Sequence, residues 1–426
     1  MSRRRRPARS VRVGMRVAAG VLIVLLIVAA WEGGTLTTPA ARASRARPAP
    51  PAAVARVEAP ALAEPLQGEG CDWSVRGLWG EFEPQSALIL GANGMVSGHA
   101  GVFQDLVAAA HRQVRLIALV SSDMEQRAGR RLLEERGLPA DAVTFLIQSA
   151  ESMWVRDFGP LFVQRLDGRP AVVDLDRFDD VIPEVYWQGD GSIPRRVGPQ
   201  LDLPVVSVSL CLDGGNLLSN GDGLAVTSTS VLDDNEDRGF SEPDIRSTLA
   251  CFFGVRDWVC LRPLIDEPTG HVDMFLTFLA PDVAVVGRYD PKHDPVNAAI
   301  LDEAAELLAG RDTARGPMRV YRIPMPARKD GEEAWYTYTN IILTNKRVLV
   351  PTYRGADPEV EAAALALYRR LLPDRTVIGI NADSLAPLGG TLHCVSMHVP
   401  SFVRLGEVPA RCELATIGAE QDADDE

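Results

Sequence analysis

The sequence predicts an α/β fold, because strand-like and helix-like runs alternate along it instead of segregating. Branched, apolar runs occur at Ala87–Leu90, Val114–Val120, Val205–Leu210, Val283–Gly287, Ile341–Leu343, Val348–Val350 and Thr376–Ile380. Between them, apolar residues spaced i, i+3, i+4 mark helices over about 99–111, 122–136, 241–252, 295–309 and 357–371. No G-x-G-x-x-G follows the first strand and no G-x-x-x-x-G-K-[ST] occurs, which removes the best signals for a nucleotide fold.

The folded body does not begin at residue 1. Arg3–Arg6, Arg9, Arg12 and Arg16 precede an uncharged run from Val17 to Trp31. That run is short of the roughly 20 residues of a spanning helix, yet long enough for the apolar core of a secretory signal or anchor. Residues 1–37 are therefore expected to be a basic signal peptide, cleaved near Ala41-Arg42-Ala43, or an uncleaved membrane anchor. Export outside the cytoplasm is expected either way. Residues 38–66, rich in Ala and Pro, cannot bury enough surface to order themselves and read as an extended linker. A single body over 67–418 and an acidic tail over 419–426 complete the chain.

Charge excludes one class of partner. Residues 1–66 carry 11 Arg and 3 Glu, net +8, against −13 for the whole chain, which leaves −21 on the remainder. A body so acidic is not expected to bind nucleic acid, whose phosphates require a basic face. Oligomeric state is not legible. Of the six cysteines none forms C-x-x-C, so no zinc ribbon or thioredoxin-like motif is present. Cys71 and Cys412, near the two ends of the body, are a candidate staple.

The helix over 295–309 shows how the elements are bounded. Asp294 precedes Pro295, a cap followed by the first helical position, and apolar residues then repeat through Leu308. No internal repeat is visible in the letters.

Four polar segments carry chemistry. In Trp154-Val155-Arg156-Asp157-Phe158-Gly159-Pro160, Asp157 is either a turn or helix cap, or a carboxylate gripping a cation beside the aromatic wall of Trp154. His271 and Asp273, two apart ahead of an apolar run, are expected to share one strand face. They fit a sheet-stabilising pair, a functional pair, or two metal ligands. No third ligand cluster of familiar spacing accompanies them, so no metal is expected. Asn340 is a strand-edge residue or a group that orients a polar ligand. Cys394 lies in Gly389-Gly390-Thr391-Leu392-His393-Cys394, read as a glycine turn feeding a short strand, on which His393 would point away from the thiol. Asp213-Gly214-Gly215-Asn216 and Asn220-Gly221-Asp222-Gly223 read first as hairpin turns.

Together these segments resemble the agmatine deiminase and bacterial peptidylarginine deiminase family of guanidine-modifying enzymes. W-x-R-D-x-G-P, D-G-G-N, G-H-x-D-M, an Asn before N-x-x-V-x-V-P and G-G-x-x-H-C occur in family order between about Gly77 and Pro400. The resemblance implies a single catalytic domain, a pentein-like, five-bladed pseudo-symmetric α/β propeller, and the five helical segments fit such a count. It implies Cys394 as nucleophile, His271 as general acid and base, and Asp157 and Asp273 as guanidinium-binding carboxylates. Asn340, Trp154, Arg156 and Asn216 are then expected to bind substrate, with Arg177 as candidate for a substrate carboxylate. No cofactor is implied.

The chemistry agrees: two carboxylates hold a planar cation while a thiolate attacks its carbon. The F-N-A-W-G-G-like stretch usual in agmatine deiminases is replaced here by Val173-Asp174-Leu175-Asp176-Arg177-Phe178-Asp179-Asp180. With export, this favours peptidyl or free arginine, giving citrulline. Agmatine, giving N-carbamoylputrescine, is the alternative, and a non-catalytic guanidinium-binding surface protein is the reading from another class.

Overall fold

The computed structural model describes residues 73, 75–177, 188–327 and 334–406. The expected signal or anchor, the linker, the acidic tail and the Cys71–Cys412 staple lie outside the described residues. Among the described residues no helix is long and apolar enough to cross a membrane.

Among the described residues the architecture is α/β, built on five mixed sheets and one small hairpin, Asp312–Thr313 with Gly316–Pro317. The first sheet orders Ser396–Pro400, Gln85–Gly91, Arg115–Val120 and Thr144–Ile147. The second orders Val75–Gly77, Leu161–Arg165, Pro170–Asp176 and Val205–Cys211. The third contains Leu218–Ser219, Leu224–Ser228 and Asp257–Leu261, and the fourth Leu276–Ala280, Val283–Arg288 and Arg319–Pro324. The fifth contains Ile342–Leu343, Arg347–Thr352 and Thr376–Asn381.

One connectivity recurs in all five. An antiparallel step brings a strand beside a longer one, and a helical crossover then adds a parallel strand. A repeat absent from the letters is thus present in the topology, because a module needs only the pattern of strand, hairpin, helix and strand.

The crossover helices are Ala100–Ala110, Ile193–Gln200, Glu242–Phe253, Pro295–Ala309 and Pro358–Leu371. All five helices expected from the sequence form, and four of them are among these crossovers. Asp123–Glu135 is a second helix of the first module. The helix of the second module is not legible in the sequence because Pro194, Gly198 and Pro199 interrupt its period. Where caps are legible they form: Asp294 accepts from Asn297 N–H at 3.0 Å, and Ser241 and Asp244 complete a capping box.

The central strands of the first sheet are buried on both faces. Along Gln85–Gly91, Leu88 and Leu90 enter the largest apolar core, while Ala87 and Ile89 enter a second one on the opposite face. Such strands read as unbroken apolar runs rather than alternating ones, which is why the early strands are legible.

Candidate active site

Every chemical segment lies in the same kind of place. Each occupies the connection from the last parallel strand of one module to the first strand of the next. Trp154 and Asp157 lie between Ile147 and Leu161, and Asp213–Asn216 between Cys211 and Leu218. His271 and Asp273 lie between Leu261 and Leu276, Asn340 before Ile342, and Cys394 between Asn381 and Ser396. The helical turn Val155–Phe158 packs on the turn Gly214–Asn216, which packs on Val272–Met274.

Two local expectations need correction. His271 and Asp273 are not on a strand: Val272–Met274 is one tight helical turn, with His271 as its extended cap, and the strand starts at Leu276. The side chains converge through turn geometry rather than alternation. Likewise Cys394 is in a turn ahead of Ser396–Pro400, so alternation does not govern His393. Of the two glycine-rich turns only Asn220–Gly223 closes a hairpin, between Leu218–Ser219 and Leu224–Ser228.

Asn340, wholly buried, holds Cys394. Its Nδ2 donates to Cys394 Sγ at 3.2 Å, and its Oδ1 accepts from Thr391 Oγ1 at 2.6 Å and His393 N–H at 2.9 Å. One amide thus clamps both the thiol and the turn that bears it. Asp273 Oδ2 lies 3.8 Å from the sulfur. Burial pushes the Cys394 thiol well above its ordinary pKa, and the charges of Asp273 and Asp157 push it further.

His271 sits between two carboxylates, with Nδ1 3.6 Å from Asp157 and Nε2 3.4 Å from Asp213. Burial alone would lower its pKa, but Asp157, Asp213 and Asp273 outweigh burial and raise it to about 10. It is an imidazolium. Burial raises Asp157 to about 7 against the attraction of His271. Asp213 is held below its usual value: burial would raise it, but Arg177 and His271 prevail.

Two oxygens are conspicuous. Asp157 Oδ1 and Asp273 Oδ1 are both buried and, among the described residues, accept no hydrogen bond. A buried acceptor without a donor is costly, and two of them on anionic groups call for a cation rich in N–H. Gly215 floors this space: a Cβ there would lie 2.7 Å from His271 Nδ1, 2.8 Å from Asp157 Oδ1 and 3.2 Å from Asp273 Oδ2. Trp154 packs over Gly390, where a Cβ would meet the indole at 2.6 Å and the Cys394 Cβ at 3.0 Å.

Cys394, His271, Asp157, Asp273, Asn340 and Trp154 are therefore brought together. Two expected substrate-binding residues are not available. Arg156, 3% exposed, spends its guanidinium on Glu81 at 2.6 Å and His398 Nδ1 at 2.8 Å. Asn216 spends its amide on Ser230 Oγ at 3.0 Å and Ser228 N–H at 2.8 Å, bracing the turn. Arg177 stands at the margin, 3.9 Å from both Asp190 and Asp213 and over the Phe158 ring. Sequence reasoning missed Glu81 and set His393 aside. Asp213, read from the sequence only as part of a turn, lies 3.4 Å from His271 Nε2 here.

The family described as Porphyromonas-type peptidyl-arginine deiminase matches residues 80–400 of this chain. A Streptomyces coelicolor protein classed as a candidate agmatine deiminase is 30% identical over 309 residues, spanning 69% of this chain and 87% of its own. Among solved structures, a candidate arginine deiminase from Porphyromonas gingivalis is similar at 27% identity and a TM-score of 0.67, covering 76% of this chain and 98% of its own. The agmatine deiminase of Enterococcus faecalis shares the fold at 22% identity and a TM-score of 0.65, covering 77% and 98%.

Proposed function

Since this chain belongs to the Porphyromonas-type peptidyl-arginine deiminase family, we propose that it deiminates a small guanidinium compound of the agmatine type. It is a hydrolase of amidine C–N bonds. The proposal includes a single catalytic domain over 67–418, with its five modules closed into a pseudo-fivefold propeller. It also includes export behind the N-terminal signal or anchor, in keeping with the disulfide at Cys251.

The oxygens of Asp157 and Asp273 that accept no hydrogen bond among the described residues carry the reading, Asp157 Oδ1 facing only His271 Nδ1 at 3.6 Å. A guanidinium between them supplies donors to both and one positive charge shared between them, and it presents its carbon toward the sulfur. Burial and the charges of Asp273 and Asp157 hold Cys394 protonated, and the same cation offsets those charges, so the thiol gives up its proton to solvent and the thiolate forms when substrate arrives. Sulfur attacks the carbon, and His271 gives its proton to the departing nitrogen, which leaves as ammonia. Now neutral, His271 takes a proton from water as the water oxygen adds to the S-linked carbon. Loss of the sulfur releases a ureido product, and the thiol and imidazolium are restored.

Agmatine is favoured over arginine by the relatives classed for agmatine. Arg177 Nη1, buried without a hydrogen-bond partner among the described residues and 3.9 Å from Asp190, is the feature that speaks for a substrate carboxylate. Purified protein given agmatine, free arginine and arginine-terminated peptides should form ureido product fastest, by kcat/KM, from agmatine. A preference for arginine peptides would restore the reading first drawn from the sequence. No product from any of them would leave the non-catalytic binder.

The acid–base pair sets the pH dependence. Asp157, raised to about 7, must be ionised to bind the cation, so kcat/KM should fall about tenfold per unit as pH drops below 7. His271, raised to about 10, must be protonated to expel ammonia, so activity should fall again above pH 10. Bound guanidinium draws Asp157 down, so kcat should hold to lower pH than kcat/KM. A kcat/KM profile flat through pH 7 would contradict this assignment.

A further inference from the structure

A chain of buried charges runs behind the guanidinium site and plays no part in the steps above. His393, 4% exposed, places Nδ1 2.8 Å from Asp273 Oδ2 and Nε2 2.7 Å from Glu81 Oε2. The other oxygen of Glu81 takes Arg156 at 2.6 Å. Arg156 also lies 2.8 Å from His398 Nδ1, which is 3.3 Å from Glu81 Oε1, and His398 Nε2 donates to the Leu343 carbonyl at 3.0 Å.

Glu81, His393 and His398 lie close enough to hold a metal ion, but the geometry assigns them otherwise. Both carboxylate oxygens already face cations, and the guanidinium of Arg156 fills the place a metal would take. Carboxylates only accept, so a ring hydrogen-bonded to one at each nitrogen donates from both and is an imidazolium.

We propose that His393 is a positioning residue for the guanidinium site, locked as an imidazolium between Glu81 and Asp273. It fixes Asp273 through Oδ2 so that Oδ1 faces the substrate, and it offsets the Asp273 charge beside Cys394. The inference rests on the reading of Asp273 as a guanidinium ligand. Its main-chain N–H, bound to Asn340, ties the same residue to the turn of the nucleophile. The charged and titratable groups facing His393 are Glu81, Asp273, Arg156 and His398. Those facing Asp273 are His393, His271, Asp157 and Cys394.

A buried ion pair can also be merely structural, so the test must separate position, charge and folding. His393→Asn keeps a donor near the Nδ1 position without charge, while His393→Gln reaches toward Glu81 and frees Asp273. Two readouts apply to the full-length folded variants. One is the pH at half-maximal alkylation of Cys394 by iodoacetamide without substrate, mapped to Cys394 by peptide mass. The other is KM and kcat for agmatine.

Both variants should shift the alkylation midpoint upward by about one unit. Only His393→Gln should raise KM, by about 10- to 100-fold, with His393→Asn restoring it to within a few-fold. Wild-type midpoints and KM in both variants would overturn the proposal, as would lower thermal stability with unchanged midpoint and KM. If the wild type turns over no guanidinium compound, the function reading fails. The alkylation shift still tests His393, because it needs no substrate.

Discussion

Replacing Cys394 by alanine should reduce ureido product by about 10⁴-fold or more while leaving agmatine binding within a few-fold of wild type. The two effects separate because different groups produce them. Binding draws on the oxygens of Asp157 and Asp273, neither of which needs the sulfur. Turnover needs an atom that can form and break a bond to the guanidinium carbon, and His271, already protonated, cannot replace it. The variant should also bind without releasing ammonia, so calorimetry should give a simple saturable isotherm. Residual turnover within tenfold of wild type would mean that water attacks directly and that the thiol is packing.

The second large effect is expected from the smallest substitution. Gly215→Ala introduces a methyl group less than 3 Å from both His271 Nδ1 and Asp157 Oδ1, and 3.2 Å from Asp273 Oδ2. Contacts that short are not tolerated, so either the turn Gly214–Asn216 lifts or the three side chains spread. The turn is not free to lift, because Asn216 is bonded to Ser228 and Ser230, and a Cβ on neighbouring Gly214 would sit 2.2 Å from the Arg156 carbonyl. The side chains must move. A displacement of an ångström at reacting groups costs on the order of 10²-fold in rate, and spreading both carboxylates weakens binding as well. The expected result is a fall of roughly 10²- to 10³-fold in kcat/KM with a melting temperature lowered only slightly. Wild-type activity in the Gly215→Ala variant would show that substrate does not enter this space.

Much of this molecule is written locally, and that part is legible. The helix over 295–309 has an Asp-Pro start and an uninterrupted apolar period, and it forms over Pro295–Ala309. The second module hides its helix because two prolines and a glycine serve the end turns and a close approach to Val205, uses that break the period without breaking the helix. Cys394, His271, Asp157, Asp273 and Asn340 could be named in advance because their short motifs, each weak alone, occur together in the order of the resembling family.

Arg156 sits in the same motif as Asp157, but the turn sends its side chain toward Glu81, and no letter near it says so. Glu81 lies in Gly80-Glu81-Phe82-Glu83-Pro84, an unremarkable acidic turn, and its partner His393 is 312 residues away. Pairings of that length are products of topology. They become readable only when the modules are laid side by side.

The first sheet is finished by the last described strand. Ser396–Pro400 pairs with Gln85–Gly91, and Cys394 stands two residues before it. During synthesis, therefore, four sheets can be complete while the first still has an open edge and the site has no nucleophile. Under the proposed mechanism the reacting thiol arrives last, in the act that seals the first sheet.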